Sequence, residues 1–211
     1  MTHHHHPCRL VLASGSPRRI AMLKQLGLTF DVRPASVDES ALPDEAPEVH
    51  VLRLARSKAE TVLHQLTPQT GSGHVVLAAD TIVAIDGRIL GKPLDREDAL
   101  AMLSRLSGRS HAVMTGYCIL DSVGRKREDA VTTKVTFKHL RPIEVEGYLD
   151  SGEWTDKAGA YGIQGLASFM VSAVQGSYTN VVGLPLSHVI EALWDLEAVT
   201  RVPNVPSNVR S

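Results

Sequence analysis

Apolar positions recur at helical spacing in some stretches of this chain and run together in others, so periodicity alone divides it into helices and strands. Arg9 to Ala13 reads as a short buried strand. Ser14-Gly15-Ser16-Pro17 then turns into a helix, with Ser16 as N-cap and Pro17 at the first helical position. Ile20, Leu23 and Leu26 continue that helix until Gly27. Leu28 to Arg33 reads as a second strand, followed by an acidic, proline-containing loop from Asp38 to Glu45. From Pro47 to about Leu66, the positions Val51, Leu52, Ala55, Ala59, Val62, Leu63 and Leu66 hold helical spacing. A polar connection, Thr67 to Gly73, leads into Val75 to Ile85, a β-branched and apolar run of the kind that a sheet buries on both faces.

In the second half, Asp86-Gly87 is a hairpin-type turn signal. Asp95 begins a helix through Leu100, Leu103 and Leu106 that Gly108 ends. His111 to Leu120 and Val131 to Leu140 read as an antiparallel pair around the turn Asp121 to Gly124. Pro142 to Leu149 is a short helix, Asp156 to Gly165 a glycine-rich loop and Ala167 to Val174 a strand. Pro185 to about Val199 is a final amphipathic helix. Strands and helices alternate unevenly, which predicts an α/β fold with a mixed β-sheet flanked by helices. No repeat or linker divides it. The expected organisation is a disordered or tag-like N-terminus over 1–8, one domain over 9–199 and a flexible tail over 200–211.

Composition narrows the function. Hydrophobic residues are 43% of the 211 and charged residues 21%, enough apolar material for a core without metal or disulfide staples. The 22 Lys and Arg against 23 Asp and Glu give a net charge of -1, which argues against a broad nucleic-acid-binding surface or a membrane coat. No apolar run reaches the roughly 18 residues of a membrane span, and no signal-peptide layout opens the chain, so a cytoplasmic location is expected. Cys8 and Cys118 lie too far apart in sequence to suggest a zinc knuckle and read as reduced thiols. The run His3 to His6 belongs to the tag-like start and carries no weight as a metal site.

Several residues could carry chemistry. The strand-turn-helix at Leu10 to Arg19 offers a helix N-terminus to an anion, with hydroxyls on Ser14 and Ser16 and planar cations on Arg18 and Arg19. An ordinary capped helix would look the same. Asp80 interrupts an apolar run, where an acid is costly unless paired, hydrogen-bonded or bound to metal; the bland alternative is a turn cap. Asp38 and Glu39 could supply oxygen ligands to a hard cation, or simply be solvated. Lys58 on the long helix could snorkel to solvent, while Lys92 in Gly91-Lys92-Pro93 sits in a loop, where function concentrates. The loop Asp156 to Gly165 sets three glycines around Lys157 and Gln164, and glycines permit close approach of backbone to ligand. Five cations with the carboxylates Glu39 and Asp80 suit a polyphosphate held with a metal ion.

The order of these motifs resembles a known family. Leu12-Ala13-Ser14-Gly15-Ser16-Pro17-Arg18-Arg19, Ala79-Asp80-Thr81-Ile82-Val83, Gly91-Lys92-Pro93, the Asp156 to Gly165 loop and Gly176-Ser177-Tyr178 leading to Val181-Val182-Gly183-Leu184-Pro185-Leu186 look like the Maf family of nucleoside triphosphate pyrophosphatases. The resemblance spans about Leu10 to Trp194. It implies a fold similar to the inosine triphosphate pyrophosphatases, with two lobes and a central cleft. It also implies hydrolysis of a nucleoside triphosphate to monophosphate and pyrophosphate, dependent on a divalent cation such as Mg²⁺ or Mn²⁺.

By that resemblance Ser14, Ser16 and Arg19, with Lys157, bind substrate phosphates, and Asp80 is the catalytic proton acceptor, helped by Lys58 and Lys92. Glu39 and Asp80 are the candidate metal ligands, and the sequence leaves open whether Asp80 takes the water's proton or holds the metal that lowers that water's pKa. Arg18, Thr81 and Gln164 match the branch acting on dTTP and UTP, whereas the branch acting on 7-methyl-GTP typically shows glutamine in place of Thr81. A house-cleaning role that keeps modified nucleotides out of nucleic acids follows for the dTTP/UTP branch. The alternatives are a 7-methyl-GTP or broad-range pyrophosphatase, and a nucleotide-binding regulator of cell division without turnover. The partner expected is the nucleoside triphosphate, with neither membrane nor stable nucleic-acid binding; a homodimer fits the resemblance, although no apolar stripe marks an interface. An amide such as Gln164 suits the O4 and N3–H edge of uracil or thymine, since it both donates and accepts.

Overall fold

A computed structural model describes residues 8–66 and 73–199. The expected tag-like start apart from Cys8, most of the Thr67 to Gly73 connection and the expected tail over 200–211 lie outside the described residues. Seven strands form one mixed sheet in the order β2-β1-β3-β5-β6-β7, with β4 paired to the far end of β3. They are β1 (Arg9–Leu12), β2 (Asp31–Val32), β3 (His74–Ile85), β4 (Arg88–Leu90), β5 (Ser110–Asp121), β6 (Lys126–Phe137) and β7 (Val171–Gln175). β1 runs parallel to β2 and β3, and the remaining pairs are antiparallel. The helices are α1 (Pro17–Gln25), α2 (Pro47–Gln65), α3 (Arg96–Leu106), α4 (Pro142–Asp150), α5 (Tyr178–Val182) and α6 (Leu186–Asp195).

The two-residue period of β3 explains the layering. Val75, Leu77 and Ala79 join Leu10, Leu12, Leu23 and the α6 residues Val189 and Leu193 in one cluster. Val76 and Ala78 point to the other face and pack with Ala55, Ala59 and Val62 of α2. Beyond Asp80 the same strand enters a third cluster, where Val83 and Ile85 meet Leu103 and Leu106 of α3, Leu149 of α4, and Tyr161. One strand therefore contributes to all three clusters. Gly116 on β5 lets α2 lie unusually close, because a Cβ there would sit 2.5 Å from the Val51 carbonyl carbon and oxygen.

The structure corrects several boundaries. The second strand shrinks to Asp31–Val32, and the segment expected as a strand from Ala167 forms a 3₁₀ turn over Leu166–Met170 before β7 begins. β6 starts at Lys126, five residues before the expected Val131, because its outer half pairs with β5 although its side chains are polar. Short α5 lies in the stretch between the expected strand and the final helix, to which the sequence assigned no element, and α6 stops at Asp195. Ser16 holds the N-cap position of α1 but makes no side-chain cap; its own amide donates to Ser14 Oγ at 3.3 Å. Among the described residues, no helix is long and apolar enough to cross a membrane.

Candidate active site

A cavity of about 1130 Å³ opens beside the middle of β3. Its wall gathers Ser14, Ser16, Arg18 and Arg19 from the β1–α1 turn, Glu39 from the acidic loop, Lys58 from α2, Asp80 and Thr81 from β3, Lys92 from the loop after β4, and Lys157 and Gln164 from the glycine-rich loop; Asp38, the other acid considered from the sequence, is not part of it. These positions are up to 150 residues apart in sequence, and the sheet brings them to one space. α1 has no side-chain cap, and helix starts with unpaired amides are in general favourable places for a phosphate.

Asp80 follows Val76 and Ala78 on the α2 face of β3, and it meets Lys58 there. Lys58 Nζ lies 2.7 Å from Asp80 Oδ1 and 2.6 Å from Glu39 Oε1. One ammonium thus joins the two carboxylates that the sequence singled out. Burial alone would raise the Glu39 carboxyl, but its hydrogen bond and attraction to Lys58, with Lys92 and Arg19 beyond, hold it below its ordinary value. The Lys58 and Asp80 side chains are 10% and 12% exposed, so each depends on the other for compensation of its charge.

Arg19 is placed differently from a free phosphate clamp. Its Nε donates to the Gly183 carbonyl at 2.7 Å, Nη1 to Ser14 Oγ at 3.1 Å and to the Ala79 carbonyl at 2.8 Å, and Nη2 to Thr81 Oγ1 at 2.9 Å. Four of the five guanidinium N–H groups are committed to the protein, which leaves one for a substrate. Burial lowers its pKa, with Asp80 opposing and Arg18 adding to that shift. Arg19 therefore ties the β1–α1 turn to β3 and to the end of α5.

Lys157 hydrogen-bonds the Glu153 carbonyl oxygen, and burial followed by repulsion from Arg18 lowers its pKa. Gln164 stands exposed at the rim. Gly159, at φ 66°, packs so tightly on β3 that a Cβ would lie 2.9 Å from Val83 Cβ, which fixes the depth at which the loop sits. Tyr161 Oη meets His111 Nε2 at 2.7 Å and anchors the same loop to β5.

Sequence reading missed part of the wall. Glu153 and Asp156 add two carboxylates, and His50 faces the cavity from α2. Glu45, nearly enclosed, accepts from the Leu42 amide and from Arg53, and pairs with His50 at 2.8 Å. The Arg53 hydrogen bond, against the opposing effect of burial, holds the Glu45 carboxyl well below its ordinary value. This cluster pins the acidic loop to α2 and so delivers Glu39 to Lys58. The only signal for it in the sequence was an acid eight residues before Arg53.

The chain is similar to proteins of known activity. A family model described as "Maf-like protein" matches residues 9–196. The dTTP/UTP pyrophosphatase of Syntrophotalea carbinolica is 48% identical over 195 residues, covering 92% of this chain and 87% of that protein. Those of Desulfotalea psychrophila and Geobacter sulfurreducens are 50% and 49% identical, covering 87% and 90% of this chain and 92% and 98% of theirs. A solved nucleoside-triphosphatase / dITP/XTP pyrophosphatase from Mycobacterium abscessus aligns at 17% identity with TM-score 0.36, over 63% of this chain and 75% of that one, a likeness too distant to argue from. With a family model covering most of its length and relatives near half identity, the chain belongs to the Maf-like protein family.

Proposed function

We propose that this chain is a nucleoside triphosphate pyrophosphatase that hydrolyses dTTP and UTP in the cytoplasm to the monophosphate and pyrophosphate. The observation that carries the reading is the Lys58 ammonium holding Asp80 and Glu39 together inside a cavity that also contains Arg18, Arg19, Lys92 and Lys157. A polyanion needs the cations; a binder that releases its ligand unchanged has no use for Asp80. The names of the relatives support the pyrimidine substrates.

The donor set fits a divalent cation. Asp80 and Glu39 offer hard oxygens in one place, and Mg²⁺ is commonly held by one or two carboxylates together with substrate phosphates. Lys58 engages one oxygen of each carboxylate, so a cation would use the oxygens that remain. A cation bound there supplies charge neutralisation for the departing pyrophosphate. The protein does the rest. The β1–α1 turn, with Ser14 and Ser16, holds phosphate oxygens; Lys92 and Lys157 balance the charge that grows on the leaving group; and Asp80 takes the proton of the attacking water at a carboxylate oxygen. Lys58, bonded to Oδ1, orients Asp80 for that transfer.

A panel of nucleoside triphosphates, with the products identified, tests the reading. Release of pyrophosphate from UTP and dTTP well above that from 7-methyl-GTP is expected. Preference for 7-methyl-GTP, or saturable UTP binding without product, would replace it with one of the two alternatives.

A further inference from the structure

Thr81 and Thr115 are direct cross-strand partners of β3 and β5, with their hydroxyl oxygens 2.9 Å apart. Thr115 is fully buried and its hydroxyl lies 3.1 Å from the Asn180 carbonyl, to which it can only donate. Asn180 cannot shift to release it. Its amide nitrogen Nδ2 donates to the Val113 carbonyl at 3.1 Å and to Thr133 Oγ1 at 3.0 Å, and its backbone amide donates to Ser177 Oγ. A hydroxyl has one hydrogen and two lone pairs. Because Thr115 spends its hydrogen on Asn180, it must accept the hydrogen of Thr81. Thr81 in turn accepts from Arg19 Nη2 at 2.9 Å.

The polarity therefore runs one way, from Arg19 through Thr81 and Thr115 to Asn180. The one other acceptor near Thr81, the Gly183 carbonyl at 3.4 Å, also lies within the protein and is too distant to compete well. On either route the Thr81 hydrogen is turned away from the cavity that Thr81 lines. The residue has a single lone pair left to offer.

We propose that Thr115 and Asn180 are positioning residues that make Thr81 a hydrogen-bond acceptor only, so that the substrate group it meets is a donor, the imide N3–H of uracil or thymine, in place of the Gln164 amide oxygen expected from the sequence. This rests on the pyrimidine triphosphate reading above. A phosphate oxygen or the unprotonated N3 of cytosine would face a lone pair with a lone pair. Without Thr115, the Thr81 hydroxyl is free to turn and donate, and discrimination falls.

Calorimetric affinities for UTP, CTP and N3-methyl-UTP, measured alongside pyrophosphate release, test the relay. The wild-type protein is expected to bind UTP at least about tenfold more tightly than N3-methyl-UTP, the scale of one unsatisfied polar group. Thr115→Val, which keeps the shape and removes the hydroxyl, is expected to shrink the UTP-to-CTP ratio at least about fivefold, and Thr115→Ser to keep it near wild type. A merely structural role would weaken both nucleotides alike. An unchanged ratio in Thr115→Val, or equal wild-type binding of UTP and its N3-methyl analogue, overturns the proposal. The second comparison decides alone if Thr115→Val does not fold. Selective UTP binding without pyrophosphate release would sustain the relay while defeating the enzymatic reading, and no binding of UTP would defeat both.

Discussion

Lys58 Nζ and Asp80 Oδ1 lie 2.7 Å apart where α2 crosses β3, and both side chains are almost enclosed. The pair is asymmetric in what its loss would do. Lys58→Met leaves Asp80 and Glu39 without their shared countercharge, and breaking such a pair costs roughly 3–5 kcal/mol in a sealed interior. Because these atoms open onto the cavity, the lower end of that range is expected, read as a fall in the urea midpoint. Asp80→Asn still offers Lys58 an oxygen, so it should unfold close to wild type while losing turnover about a hundredfold or more. Similar destabilisation by the two variants would contradict this division of roles.

Gly116→Ala is a steric test of how α2 is seated. A Cβ would meet the Val51 carbonyl atoms at 2.5 Å and the Leu52 amide nitrogen at 2.8 Å, and backbone cannot swing aside as a side chain can. Overpacking of this kind costs about 1–3 kcal/mol. Since the same helix carries Lys58, activity should fall further than stability alone explains. Denaturation and turnover measured on one preparation check both; a silent substitution would mean that α2 sits farther from the sheet.

His111 should give stability a pH dependence. Burial pushes its imidazole down to about 4 from an ordinary 6.5, so between those values the unfolded chain binds a proton that the folded chain refuses. Stability therefore falls as pH drops from about 6.5 towards 4, by roughly 3 kcal/mol in all. Glu45, held low by Arg53, acts in the same direction but only below about 4.5. In His111→Gln, thermal midpoints between pH 7 and 4.5 should be clearly flatter than in wild type. Parallel curves would show that another group sets the slope.

Glu39 is half-exposed and reaches Lys58 from a loop, while Asp80 is fixed in a strand. Glu39→Gln should accordingly weaken the divalent cation more than it harms the fold. We expect the Mn²⁺ dissociation constant, followed by electron paramagnetic resonance, to rise about tenfold with little change in melting temperature. Unaltered Mn²⁺ affinity would remove Glu39 from the metal-binding set.

Much of this was legible from local pattern. The apolar run around Asp80 revealed the central strand because burial on both faces leaves a continuous signal, and Pro17 and Asp95 marked helix starts through local backbone and capping chemistry. Failures came where long-range pairing decided the outcome. Residues 126–130 carry Lys, Arg, Glu and Asp yet extend β6, because β5 supplies a partner for their backbone groups. The same limit held at the site. Motifs announced Asp80 and the β1–α1 turn, but by local pattern Lys58 was a helix lysine that could snorkel to solvent, and nothing local announced that Arg19 would spend four donors inward, or that Glu153 and Asp156 would join the wall. The near-neutral sequence total hides a cavity with five cations and four carboxylates, a more balanced field than the sequence suggested.

The central claim is that Asp80 and its surrounding cations cleave a pyrimidine triphosphate between the α- and β-phosphates. Phosphorus NMR of UTP incubated with the protein and Mg²⁺ reads the broken bond directly. Equal amounts of UMP and pyrophosphate, appearing with wild type and essentially absent with Asp80→Asn, are predicted; UDP with orthophosphate, or undiminished cleavage by the variant, would contradict the account.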